Sequence, residues 1–147
     1  MNSAERILLT LWVGALWAVG YLAVPVLFHE LADRMLAGAL AGTMFTLVAW
    51  LGLAVGGTLA IGELARYRFR PRWRFWVLLL MLALVAMGHF WVQPMMHTLK
   101  EGGLQEGSAR AAEFARLHGI SASLYLATSL AGLLLVAASG RRGPTEA

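Results

Sequence analysis

Four long runs without a single Asp, Glu, Lys or Arg dominate this chain: Ile7–Phe28, Met35–Gly62, Phe75–Met96 and Leu117–Gly140. Each reaches or exceeds the roughly 20 residues that a helix needs to cross a bilayer's hydrocarbon core. Lipid offers backbone N–H and C=O groups no outside partner, so a spanning segment of this kind has to be helical. The expected fold is therefore all-α: a polytopic membrane protein whose spans form a four-helix bundle. All 147 residues make up a single membrane domain, ending in a disordered tail over 141–147. The 28-residue second run is over-long and either tilts or extends past the interface. The first run follows only Arg6 and outlasts a signal peptide's apolar region, so it reads as a retained span.

Composition closes off the other classes. With 59% hydrophobic and 14% charged residues, the chain matches neither a soluble domain nor a disordered one. The absence of cysteine removes disulfide scaffolds, thiolate metal sites and cysteine nucleophiles. A pI near 10.3 could suggest nucleic acid, but the basic residues lie between apolar runs rather than on one folded face, so no nucleic-acid partner is expected. Eleven arginines against one lysine fit a GC-rich bacterial source.

Charge sets the orientation. With alternating helices, Arg6, Arg66, Arg68, Arg70, Arg72, Arg74, Arg141 and Arg142 share one side, against Arg34, Lys100, Arg110 and Arg116 on the other. The positive-inside rule then puts both termini in the cytoplasm of a bacterial inner-membrane protein. The segment ARYRFRPRWR, with Tyr67, Phe69, Trp73, Phe75 and Trp76, fits a headgroup-level aromatic belt in contact with membrane lipid. On the opposite side HELADR reads as a tight turn between antiparallel neighbours. Ser108 is a candidate N-cap for a helix that runs into the fourth span, with Glu113 and Arg116 pairing along its wet face. No internal repeat is visible.

Packing faces can be read from spacing. In the second span Gly38, Gly42, Phe45, Ala49, Gly52 and Gly56 recur at steps of four and three, a stripe of mostly small side chains that lets helix backbones approach closely. This span is the expected central packing helix, serving the bundle or a homo-oligomer. The fourth span carries His118, Ser121, Tyr125, Thr128 and Gly132 on an inward-facing stripe. The third has His89, Gln93 and His97 at successive steps of four, and in the first Gly14 and Tyr21 share a face with Trp17. The interior should be slightly polar toward its outer half.

All four histidines fall toward that outer side, which makes a cofactor layer conceivable. His89 and His118 on different helices are candidate axial haem ligands. His29, Met95, Met96, His97 and His118 form a thioether and imidazole set suited to copper. Against this stand the ordinary roles of interfacial histidines and of methionines as packing residues. His89 is the exception, because an ionisable group inside a span is a functional hypothesis by default. Other chemistries find no footing. Glu30, Asp33, Glu63, Glu101, Glu106 and Glu113 are expected at span ends or in loops, which gives no acidic relay. There is no phosphate loop and no Ser/His/Asp arrangement at usable spacing, so no catalytic residue is assigned.

The segments LLTLWVGALWAVGYLAVPVLF, AGALAGTMF and FARLHGISASLYL, together with the four-span layout, resemble the bacterial transmembrane protein 205-like family from about Arg6 to Ser139. The Leu117-His118-Gly119 step is the most specific piece. LWVGALW is also similar to copper-resistance D-type membrane proteins, though the histidine-bearing start of the first span associated with them is missing. The first resemblance implies fold and location without a settled activity, and marks His118 and the Trp12–Gly14 neighbourhood as positions to test. The second implies His118 and His89 as ligands. The function expected is that of a small, non-enzymatic membrane protein acting through helix packing with itself or a membrane protein partner. The alternative is a haem- or copper-binding protein using the outer-half histidines; an oligomeric carrier of small solutes comes third.

Overall fold

The computed structural model describes residues 2–67, 72–103 and 107–140, and within them every regular element is helical. Four helices are long and apolar enough to cross a membrane: α1 (Ser3–Glu30), α2 (Arg34–Arg66), α3 (Trp73–Glu101) and α4 (Ala109–Ser139). Each overshoots its uncharged run because polar caps carry the helix beyond the apolar stretch. Asn2 and Glu5 form a reciprocal capping box at the start of α1. Asp33 accepts from the Met35 and Leu36 amides, closing the short turn after α1 as HELADR suggested. Ser108 caps α4 by accepting from the Ala111 amide at 3.2 Å. The 33 residues of α2 give it about 50 Å of length, more than a straight crossing of the roughly 30 Å core needs. The expected Glu113–Arg116 pair does not form: both side chains are exposed, and neither belongs to an ion pair among the described residues. The expected tail over 141–147 lies outside the described residues, as do Arg68 and Arg70 of the basic link.

Contacts run α1 to α2, α2 to α3, α3 to α4 and α4 back to α1, so the helices stand at the corners of a square in chain order. Leu9, Trp12, Val13 and Leu16 of α1 meet Val48, Val55, Leu59 and Ala60 of α2, Leu78 and Met81 of α3 and Leu135 of α4 in one core. Between the helix ends much of the outer surface is apolar as well. Leu11, Leu22, Leu47, Trp50, Ile61, Trp76, Phe90, Trp91 and Leu134 all point outward. Such a surface in water would be an aggregation liability, whereas in lipid it is a solvated face.

The two diagonal helices share a device. α1 and α3 each widen into a π-helical turn, at Val19–Ala23 and Gly88–Val92, two residues before Pro25 and Pro94. Proline lacks the N–H that the ladder needs and its ring crowds the carbonyl one turn earlier, so the helix takes up the mismatch locally. The two turns are 69 residues apart, and so are Trp12 and Met81, and Val13 and Leu82. A Cβ on Gly56 of α2 would touch Trp12 and Leu82, while one on Gly132 of α4 would touch Met81 and Val13. The hairpins α1–α2 and α3–α4 are thus related by a pseudo-two-fold axis along the bundle. The repeat is structural: side chains change but the places they fill do not.

Candidate functional site

Near the middle of the bundle, polar groups gather between the helices. The Tyr125 hydroxyl donates to the Leu16 carbonyl across the α1–α4 interface at 2.6 Å. Trp17 Nε1 reaches the Ser129 carbonyl at 3.4 Å, and the rings of Trp17, Tyr21, Phe45 and Tyr125 adjoin one another in tilted and T-shaped pairs. A side chain on Gly20 would collide with Tyr125, so the glycine clears room for the phenol. Thr128 and Ser129 are fully buried, each satisfied by the carbonyl four residues back. The stripe expected on the fourth span therefore faces inward from Ser121 to Gly132. His118 leaves it and lies exposed, stacked on Phe114 with centroids 6.3 Å apart.

The histidines stand apart from one another in their surroundings. His29 is open to the outside, 4.0 Å from Glu30, and His97 is exposed with its Nδ1 3.3 Å from Glu101. Met95 is exposed and Met96 half-buried. Among the described residues no group of three or more His, Cys, Asp or Glu side chains could hold a metal ion. His89 alone is built in. It lies in the π turn of α3, half-buried, with its ring edge-on to Trp50 and its Nδ1 3.1 Å from Gln93 Oε1. Thr46 of α2 approaches the same oxygen at 3.5 Å.

The small stripe of α2 divides in two. Gly52 and Gly56 seat the Trp12 indole, with a Cβ at either falling within 3.0 Å of its ring. Ala49 is half-buried, and Gly38 lies beside Phe28 and Lys100. Gly42 is on the outer surface with nothing near it. On α1, Gly14 is similarly bare and forms the floor of a groove of about 350 Å³, lined by Thr10, Val13, Trp17, Leu133 and Val136.

A second polar cluster lies at the end carrying the termini, where Glu63 sits in the last turn of α2, at the span end expected of it, but turned into the bundle. Glu63 falls on the inward face of α2, 5% exposed, and one of its carboxylate oxygens, Oε2, is buried without a protein partner. It adjoins a cavity of about 10 Å³ lined also by Glu5, Leu9, Leu59, Arg74, Leu78 and Leu135. Glu5 is engaged by Arg66 through two guanidinium contacts and by the Asn2 amide. Arg74 turns into the bundle and donates to the Ala138 carbonyl at 2.9 Å. Sequence reasoning took Glu63 as the boundary of an apolar run. The usable signal was its place seven residues after Gly56 and four after Leu59, which keeps it on the buried face.

Residues 7–105 match the family model described as a domain of unknown function, DUF4149. The chain belongs to the DUF4149 family. No curated protein and no solved structure matches it. The DUF4149 match takes in α1 from Ile7, all of α2 and all of α3, so it holds both proline turns, the Trp12 seat, Glu63, Arg74 and His89. Glu5 and the whole of α4, with Tyr125 and Ser129, fall outside it. The core therefore joins matched and unmatched helices, and the DUF4149 segment packs against α4 to complete its interior.

Proposed function

We propose that this DUF4149 protein is a non-enzymatic component of the bacterial inner membrane, with both termini cytoplasmic, that acts by packing a helix of a second copy or of a partner protein into the groove over Gly14. The observation that carries this reading is the groove itself. Thr10, Val13, Gly14, Trp17, Leu133 and Val136 leave about 350 Å³ open on the outer surface, with bare glycine backbone at its floor. Small residues on a lipid-facing surface are what close helix association in membranes uses. The interior meanwhile is filled by Trp12, Leu9, Met81 and Leu135, which favours a packing role over passage of a solute through the bundle. A photo-crosslinking residue at Gly14 in native membranes tests it. The expected result is a protein adduct, either a dimer or one recurrent partner, that a probe at outward-facing Leu47 does not give. Lipid adducts alone at both positions would contradict it.

A second reading rests on His89. With its proton on Nδ1, the imidazole donates to Gln93 and keeps Nε2 as an acceptor, the way metal-ligating histidines are oriented. Haem or copper is the ligand this reading names, with similarity to copper-resistance D-type proteins behind it and His118 as the other position to vary. Titrating purified protein with haem and with Cu(I) tests it: binding lost in His89→Ala supports the reading, and no uptake of either by the native protein removes it.

A further inference from the structure

We propose that the cavity at the termini end is a binding site for one water molecule, which bridges Glu63 Oε2 to the Arg74 guanidinium and so ties α2 to α3 and, through Ala138, to α4. Three observations carry this. Glu63 is 5% exposed and its Oε2 has no protein partner, a costly state for a carboxylate oxygen inside an apolar bundle. The cavity beside it, about 10 Å³, is of the size that admits a single water and nothing larger. Arg74 borders the same cavity and, with one Nη2 contact to Ala138, retains further N–H donors. Charge selects the ligand. Glu5 and Glu63 supply two negative charges and Arg66 and Arg74 two positive ones, so a further cation or anion would unbalance the cluster while a neutral molecule that both donates and accepts completes it. Glu63 and Arg74 form no direct ion pair within 4.0 Å, which leaves the bridge to the water.

The site also uses the pseudo-two-fold axis. Glu5 and Arg74 are 69 residues apart, at equivalent places in the two hairpins, so the repeat presents opposite charges to the same cavity.

Two measurements on the full chain test this. Thermal unfolding in mild detergent is recorded for Glu63→Leu, Arg74→Met and the double variant Glu63→Leu/Arg74→Met, since leucine and methionine leave no group to hold the water. The bridge predicts that each single change lowers Tm by several degrees and that the double variant falls no further than the worse single one, because either change breaks the same link. Additive losses would overturn it. A crystal structure grown from lipid, which needs no variant to fold, should show one water within hydrogen-bond distance of both Glu63 Oε2 and Arg74. A direct Glu63–Arg74 contact, or a metal ion in the cavity, would also overturn it.

Discussion

The indole of Trp12 lies on the bare backbone of Gly52, so close that a Cβ there would stand 2.5 Å from Nε1. Trp12 is completely buried, and the ring extends along α2 to Gly56, where Leu82 of α3 closes the contact. Large against small is thus the central α1–α2 contact. Gly52→Ala must push the ring or separate the helices, and overpacking of this kind costs about 1–3 kcal/mol. Unfolding in mild detergent should show Gly52→Ala well below the native protein, while Gly42→Ala, on the open face, leaves stability unchanged.

Trp12 Nε1 is itself buried without an acceptor. Replacing the indole by a phenyl ring removes that unsatisfied donor while keeping most of the packing. Trp12→Phe is therefore expected to cost much less than Trp12→Ala, for which loss of a large core side chain gives about 3–5 kcal/mol. Equal losses in the two variants, measured by the same unfolding assay, would show that a phenyl ring does not keep the packing of the indole seat.

Tyr125→Phe deletes the bond to the Leu16 carbonyl and little else. Interhelical hydrogen bonds in membranes average about 0.6 kcal/mol and reach ~1.7 at most, so a small loss is expected. Gly20→Ala should be worse than Tyr125→Phe, because its Cβ would collide with the Tyr125 ring and drive the phenol out altogether.

The Glu5 carboxylate serves two partners of different kinds, accepting twice from Arg66 and once from the Asn2 amide that closes the capping box. Glutamine preserves the cap and loses the charge. The Glu5→Gln variant should cost under about 1 kcal/mol and the difference should fade at high salt. Glu5→Ala, which loses both, should stay destabilised at every ionic strength.

The spans, the turn at Asp33 and the cap at Ser108 were legible because each rests on local signals: charge-free length and a side-chain oxygen just before a helix. The inward stripe of α4 was legible from Ser121 to Gly132, since polar groups avoid lipid. The direction of individual side chains was not. Periodicity put Gly42 with Gly52, yet only Gly52 faces a neighbour, because the buried face of α2 runs through Ala37, Ala41 and Val48 and drifts off the glycine stripe. The burial of Glu63 was hidden by its charge, which marks a span boundary in sequence even where helical phase turns the side chain inward. The hairpin repeat was hidden because packing conserves place rather than identity: Trp12 and Met81 fill matching positions with side chains unlike in shape and size. The π turns follow from the prolines, but two prolines in long apolar runs do not by themselves say how the helix absorbs them.

Because the chain has no cysteine, the side of the membrane on which each connection lies can be read one position at a time. Single cysteines at Asn2, Ala32, Arg72, Gly107 and Gly140, one before, between and after the spans, are exposed to an impermeant maleimide on intact cells with the outer membrane opened. Four crossings with cytoplasmic termini predict labelling at positions 32 and 107, and at 2, 72 and 140 only after the inner membrane is broken. Labelling of all five in intact cells, or of 2 together with 32, would contradict the four-span bundle.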